Sequence, residues 1–380
     1  MNSRFLTFVA VSVLALVVGA CSQGNSGDSS TTATSTSTIP TGIDRFLLFP
    51  NPIQSASTFE TNTAAYAQAY YRAIDSTNAK DTLTKWKTAN GFGTGGQELT
   101  AVFRDVRDLG YGRRMTGRIN GDGSVAFFVE NYDVDVVPGA YSNLNVDAAI
   151  ARDQRWHIGI NAIEYSTTAC DATQDPTTCV DGVKFAKFYN FSPTTGERQT
   201  AVDLDGKGMK AMPGPCISCH GGRGDPLTPS DGTGNPRFPY VGNSASNKRG
   251  DTEAHLQPFR VDSFFYATTA GYTRADQESK LKTFNKWVLC TYPLVGAAVV
   301  PEDTTDCGTG GRRTATASEW QGTAAEMIKA WYGGAGMPNA TFSDTYLRAF
   351  RLVRQRESLH RGRCALLPHL SHRARQRRAE

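Results

Sequence analysis

Three side chains that can do chemistry stand together at Cys216, Cys219 and His220. Two residues separate the cysteines, and the histidine directly follows the second one. This spacing brings both sulfur atoms to one side of a single turn, with the imidazole next on that turn. C-x-x-C-H is the attachment sequence for a c-type haem, in which the thiols form thioethers to the vinyl groups and the histidine becomes the proximal iron ligand. The motif therefore predicts one covalently bound haem.

The same two cysteines without the histidine would fit a redox-active dithiol or half of a zinc site equally well. A structural zinc site takes four ligands, and the chain contains no second C-x-x-C. The missing second pair argues against zinc. The histidine beside Cys219 favours haem attachment over a dithiol.

The N-terminus predicts an exported lipoprotein. Arg4 provides a positive region, residues 5–18 form a short apolar stretch, and small residues precede Cys21. This order is typical of a lipoprotein signal peptide, whose cysteine becomes the lipid-modified N-terminus; the alternative is an ordinary secretory signal with an incidental cysteine. No aspartate follows Cys21 to indicate retention at the inner membrane. We therefore expect a periplasmic protein held to a membrane, the outer one, by a lipid anchor.

Export also bears on the remaining cysteines. In an oxidising compartment, two cysteines that flank a polar segment can close a local disulfide. Cys170 and Cys179 have this arrangement, and so do Cys290 and Cys307; the alternative is four free, buried thiols. Cys364 is left over, and an odd thiol in an exported protein needs an explanation.

The chain predicts an α+β fold in two folded parts. Residues 1–21 are the predicted signal peptide, and the Ser/Thr-rich residues 22–42 are too polar to bury a core and predict a flexible tether. Residues 43–205 are expected to form an α+β domain rich in antiparallel strands, with a hairpin turn at 120–123. Residues 206–350 contain glycine- and proline-rich loops separated by helices, and predict a mainly α-helical, loop-rich haem domain.

Local signals place several elements within these parts. Helices are expected at residues 63–74, from Asp81 to the stop at Asn90-Gly91, from Thr273 onward, and from the capping box at Thr323 to the glycines at 333–334. The turn residues at 192–196 predict a second hairpin that joins residues 183–191 to residues 200–204.

With its haem-attachment motif and export signal, the chain resembles the c-type cytochromes. In that family a methionine on a loop after a helix, often followed by proline, binds the second face of the iron. The resemblance therefore implies Met337, followed by Pro338, as the distal ligand, although it lies 117 positions after His220, well beyond the compact family pattern. His255 is the alternative and would give bis-histidine iron of lower potential, and the third possibility is an open or water-bound site.

Residues 351–380 differ from the rest of the chain in composition. They contain nine arginines and two glutamates, a net charge of +7, which leaves −3 for residues 1–350 out of the total of +4. One interpretation is a disordered basic tail that binds anionic surfaces. The other is a frameshift, because residues 366–372 read one base later permit C-x-x-C-H; it would explain Cys364 and imply a lost second haem site. The mildly acidic remainder of the chain gives no indication of nucleic-acid binding.

Three functions from different classes fit these features. The first is a membrane-tethered periplasmic cytochrome that passes single electrons to redox partner proteins. The second is a haem enzyme, such as a dihaem peroxidase or oxygenase, in which an open iron site reacts with a substrate. The third is a lipoprotein whose N-terminal domain binds a partner and whose haem is structural.

Overall fold

The protein is seen as a computed structural model, which describes residues 64–106, 108–134, 142–167, 184–205, 208–222, 250–252, 254–292, 307–308 and 324–344. The predicted signal peptide, tether and basic tail lie outside the described residues. So do four of the cysteines named above: Cys21, Cys170, Cys179 and Cys364.

Eight strands are present in the described residues: β1 (Glu98–Asp105), β2 (Gly112–Ile119), β3 (Val125–Tyr132), β4 (His157–Thr167), β5 (Lys184–Phe191), β6 (Ala201–Val202), β7 (Lys210–Ala211) and β8 (Phe264–Phe265). Six of them form one antiparallel sheet in the spatial order β5-β4-β3-β2-β1-β8, and β6 pairs with β7 separately.

In the part of the chain that the structure describes, six α-helices accompany the sheet: α1 (Ala64–Ile74), α2 (Leu83–Ala89), α3 (Leu144–Ala151), α4 (Gly214–His220), α5 (Arg274–Thr291) and α6 (Ala324–Trp331). Together with the antiparallel sheet they confirm the predicted α+β class. Short 3-10 turns lie at Gln154–Trp156 and Val261–Ser263. Among the described residues, no helix combines the length and the apolar character needed to cross a membrane.

Side-chain caps explain where two of the helices begin. The hydroxyl of Thr82 accepts a hydrogen bond from the Lys85 N–H, which fixes the start of α2. Thr273 and Asp276 form a complete capping box at the start of α5, where each side chain binds the backbone N–H of the other. Such caps satisfy N–H groups that have no partner within the helix. The sequence predicted α5 from Thr273 and Asp276, and it predicted α2 from the stop signal at Asn90-Gly91.

The first predicted hairpin is confirmed, and the second is only partly correct. β2 and β3 pair in continuous register from Gly112–Tyr132 to Ile119–Val125, around the turn at 120–124. A turn also lies at 192–196, where the Gly196 N–H donates to the Ser192 carbonyl. The returning chain stays beside β5 only as far as Gln199. It then leaves to form β6, because residues 201–202 pair with β7 instead.

Alternation along the strands gives the sheet two different faces. We call the face that carries Met115 and Phe127 the cavity face; there Phe127 packs edge-on against Phe284 of α5, with ring centroids 5.1 Å apart. The opposite face carries Phe128, which packs against Trp86 and Phe92. Helices therefore cover the sheet on both sides.

The main hydrophobic core contains side chains from both predicted parts of the chain. Tyr70 and Phe188 belong to it from the first part, and Trp287 and Trp331 from the second. β8, also from the second part, forms an edge of the sheet beside β1. The division between residues 205 and 206 stays a prediction. In the described residues, the two stretches share one core and one sheet.

A disulfide joins Cys290, on α5, to Cys307, and the two Cα atoms are 5.3 Å apart. The backbone around Cys307 lies against the β2–β3 turn, since a Cβ on Gly308 would meet the Gly123 N at 2.6 Å. The disulfide therefore ties the end of α5 to the sheet.

Candidate functional site

All three residues of the C-x-x-C-H motif lie on α4. Pro215 occupies one of the first two helical positions, where its missing N–H costs nothing. The helix is seven residues long and ends at Gly221, whose N–H donates to the Ile217 carbonyl at 2.8 Å. The motif thus occupies a single short helix, the arrangement that its spacing predicts.

Two hydrogen bonds with the backbone of His255 hold His220 in place, one through the imidazole and one through the His220 carbonyl. Its Nδ1 lies 2.8 Å from the carbonyl oxygen of His255, and the His255 N–H donates to the His220 carbonyl at 3.1 Å. A carbonyl oxygen can only accept, so Nδ1 carries the proton in this bond and Nε2 keeps its lone pair. Metal-binding histidines are commonly oriented in this way, by donating the second ring N–H to a backbone carbonyl.

A glycine just after the motif allows this contact. Gly222 has φ +101°, and a Cβ there would lie 2.2 Å from the Thr252 carbonyl oxygen and 2.8 Å from the Ala254 N. A side chain cannot be accommodated at that separation. Gly222 therefore lets the segment that carries His255 approach the end of α4.

A cavity of about 370 Å³ opens beside α4. The motif supplies one wall through Cys216, Cys219 and His220. The sheet supplies the floor through Phe103, Met115, Phe127, Val129 and Phe188. The remaining wall comes from the segment at 256–264 and from Val288 of α5. Most of the lining is apolar, and the volume is in the range of small-molecule and cofactor sites.

Two arginines line this cavity, and so do Asp105 and Asp108. Arg113 of β2 forms an ion pair with Asp108, and Arg260 forms one with Asp344. The Nε atom of each arginine is buried and has no hydrogen-bond partner in the described part of the chain. Each guanidinium therefore keeps one buried donor that an acidic group in the cavity could use.

The two thiols are reduced and protonated at neutral pH. Neither Cys216 nor Cys219 is in a disulfide. Burial raises the pKa of Cys216, and the neighbouring Cys219 raises it further. Burial also raises the pKa of Cys219, and Asp108 adds to this while Arg113 opposes it. Both thiols thus lack the stabilised thiolate of a reactive dithiol.

The imidazole of His220 is neutral near pH 7. Burial lowers its pKa below the ordinary value of 6.5. The hydrogen bond to the His255 carbonyl and the charge of Asp108 raise the pKa, but by a smaller amount. The ring also lies 5.1 Å from that of Phe188, measured between centroids. A neutral, oriented imidazole is the form that binds a metal ion.

The two predicted distal ligands lie elsewhere. His255 stands behind His220, on its Nδ1 side, and its ring lies 6.2 Å from that of Tyr292. Met337 is 3% exposed and sits in a turn with φ +51°, where its N–H donates to the Gly334 carbonyl. Neither side chain lines the cavity beside His220.

Met115 lines the cavity, and the sequence analysis does not single it out. It occurs in the strand segment Arg113-Arg114-Met115-Thr116 and carries no local mark of function. The one signal available is the alternation that places Arg113 and Met115 on the same face of β2. Only the strand register and the position of α4 reveal what this face opposes.

Comparison with family models, with curated proteins and with solved structures found no match for this chain. Among the described residues, no group of three or more His, Cys, Asp and Glu side chains is placed to hold a metal ion. The site therefore has to be interpreted from its own geometry.

Proposed function

We propose that this protein is an exported c-type cytochrome that binds one haem covalently through Cys216 and Cys219 and transfers single electrons. His220 is the proximal iron ligand. Helix α4, the cavity face of the sheet, the segment at 256–264 and Val288 of α5 form the haem-binding part. The observation that carries this proposal is the hydrogen bond from His220 to the His255 carbonyl at the wall of an apolar cavity.

The state of the thiols favours haem attachment over dithiol chemistry. A dithiol oxidoreductase works through a thiolate, and its attacking cysteine has a lowered pKa. Here burial raises the pKa of both Cys216 and Cys219. Reduced thiols held on one helix beside a cavity suit addition to a bound porphyrin.

The cavity also fits the chemical character of haem, which has an apolar macrocycle and two carboxylates. The sheet floor supplies apolar contact surface through residues such as Phe127 and Val129. Arg113 and Arg260 each retain a buried Nε donor for an acidic group. Arginine recognises carboxylates well because several N–H groups lie in one plane.

Each residue of the motif has a defined task in this proposal. Cys216 and Cys219 would hold the haem through thioethers to its vinyl groups: each S–H would add across one C=C, the sulfur bonding to one carbon and the hydrogen to the other. No oxidant is consumed, since the addition is redox-neutral. His220 presents Nε2 while the His255 carbonyl prevents its ring from rotating. Bound haem supplies the one-electron couple of its iron.

The proposed location follows from the N-terminus. Haem attachment of this type and disulfides such as Cys290–Cys307 both belong to proteins outside the cytoplasm. A lipid at Cys21 would hold the haem part near the outer membrane, with residues 22–42 as a tether. Redox proteins of the periplasm are the expected partners.

The experiment is expression in a periplasm with a cytochrome maturation system, followed by acid–acetone extraction and haem staining after denaturing electrophoresis. Wild-type protein should keep its haem through both steps. The double variant Cys216→Ala/Cys219→Ala should lose it, and the matched variant Cys290→Ala/Cys307→Ala should keep it. Loss of haem from the wild type on extraction, or retention by the Cys216/Cys219 variant, contradicts covalent attachment.

A further inference from the structure

The cavity beside α4 contains one more side chain of a type that binds haem iron. Protein ligands to haem iron are histidine, cysteine, methionine and tyrosine. Of the residues that line the cavity, Cys216 and Cys219 are needed for the thioethers and His220 for the proximal bond. Among the lining residues in the described part of the chain, Met115, on the floor, is the remaining member of this set.

We propose that Met115, on strand β2, is the distal iron ligand, and this inference rests on the proposed haem attachment. The ligand would then come from the sheet and not from the loop after α6. Iron would be held between a helix of the second predicted part of the chain and a strand of the first.

The strand register shows that Met115 faces the same space as the motif. Its cross-strand neighbours are Ala101 on β1 and Val129 on β3. In an antiparallel sheet, directly paired residues project to the same face. Ala101, Met115 and Val129 lie side by side across three strands. Methionine has the longest side chain of the three. Met115 is 9% exposed, which keeps its sulfur out of bulk solvent.

The rest of the floor places this row opposite α4. In the next row Phe127 pairs with Ile163, and Ile163 pairs with Phe188, which contacts the His220 ring at 5.1 Å between centroids. On the other side of Met115, Arg113 lines the same cavity as His220. Met115 thus lies between two floor positions that both border the space in front of the motif.

The other candidate distal ligands are less well placed to bind the iron. The backbone carbonyl of His255 contacts His220, and the His255 side chain does not line the cavity that contains Met115. Met337 occupies a turn after α6 and does not line the cavity. Met212 is fully buried, and its sulfur lies 3.9 Å from the Cys216 Sγ, at the helix start.

Ligation by Met115 has a functional consequence. Imidazole on one face and thioether on the other stabilise reduced iron and raise the reduction potential. A side chain at both axial positions leaves none for a substrate, so the protein would transfer electrons and not react with small molecules. Loss of the thioether should leave one axial position of the iron without a protein ligand.

The test compares Met115→Leu with Met337→Leu in the covalently loaded protein. Leucine conserves the apolar volume of methionine and removes only the sulfur. Oxidised wild-type protein and Met337→Leu should both show the weak sulfur-to-iron band in the far red. Met115→Leu should lose it, bind carbon monoxide readily when reduced, and have a lower midpoint potential. Met115→His should restore six-coordinate iron without the sulfur band.

The outcomes separate this inference from the proposed function. If haem is covalently bound and Met115→Leu keeps the far-red band, Met115 is not the ligand. The same conclusion follows if wild-type protein with covalent haem has no such band. If the wild-type chain carries no covalent haem, the proposed function fails and the role of Met115 fails with it.

Discussion

The two faces of the central sheet are closed by different means. On the opposite face, Trp86, Phe92 and Phe128 pack ring against ring, and a buried Glu164 is surrounded by Lys80, Lys187 and Asn90. Both lysines of this cluster lie within ion-pair distance of Glu164. The cavity face instead leaves about 370 Å³ between the sheet and the motif on α4. One side of the sheet is thus filled by the chain itself, while the other leaves space for a cofactor.

The buried ion cluster is the clearest way to test this distinction. Glu164 and Lys187 are both 0% exposed, and the Lys80 Nζ lies 2.5 Å from the Glu164 carboxylate. Glu164→Ala leaves two ammonium groups without their shared anion, so the free energy of unfolding should fall by about 3–5 kcal/mol. Denaturant titration measures this change. Covalent haem should be unaffected, since the cluster lies on the other face.

Glu326→Ala is the matched control for that variant. Glu326 is paired with Lys329 at 2.8 Å, but its side chain is 65% exposed. Its removal should cost less than about 1 kcal/mol. Equal effects for the two variants would mean that the Glu164 cluster does not stabilise the closed face.

Acid should weaken the same cluster by a smaller amount. Burial alone would raise the pKa of Glu164, but Lys80 and Lys187 outweigh it and lower the pKa from 4.5 to about 2. The unfolded chain therefore binds the proton first as the pH falls, and stability is lost from about pH 4.5 down to about pH 2. A protonated carboxyl keeps its packing, so this loss should be smaller than that of Glu164→Ala.

The variant Glu164→Gln checks the pH effect. Its side chain cannot titrate, so the stability difference between wild type and variant should shrink as the solution is acidified from neutral pH. Denaturant titrations at successive pH values provide the measurement. A difference that stays constant with pH would show that Glu164 does not have a lowered pKa.

On the cavity face, a change at Gly222 should lower the stability less than Glu164→Ala does. It should also lower the amount of haem attached to the motif. Gly222→Ala introduces a Cβ 2.2 Å from the Thr252 carbonyl oxygen at φ +101°. We expect a loss of about 2 kcal/mol from overpacking and backbone strain. The segment bearing the His255 carbonyl should also shift, and the yield of covalently loaded protein should fall.

Gly221→Ala is the control for the approach at Gly222. Gly221 has φ +72°, but a Cβ there has nothing within 4 Å. Only backbone strain remains, of about 1–3 kcal/mol, because φ +72° with ψ −172° is a region that residues with a side chain rarely adopt. The haem yield therefore separates the two variants. If both alanine variants lose the same haem yield, the contact with Thr252 does not position the site.

Local sequence signals predicted the elements that depend on neighbouring residues. The Thr273–Asp276 capping box and the hairpin turn at 120–123 depend only on residues a few positions apart, and the structure has both. The sequence analysis did not identify β1 or α3. The strand after the turn at 192–196 was assigned to the wrong partner, because its pairing with β7 is set by the chain beyond it.

The candidate site divides in the same way. The motif at Cys216, Cys219 and His220 is visible in the sequence because its chemistry depends on local spacing. The contact of His220 with His255 joins residues 35 positions apart, and the opposition of α4 to Met115 depends on the register of four strands. Such contacts leave no local pattern in the sequence. The choice of Met337 as distal ligand therefore depended on the resemblance to the c-type cytochromes.

The most direct test of covalent haem binding is the intact mass of the protein purified from a periplasm that attaches haem. The account predicts a polypeptide heavier by the mass of one haem, with the added mass mapped by proteolysis to the peptide containing Cys216, Cys219 and His220. A polypeptide of unmodified mass, or haem on any other peptide, would contradict it.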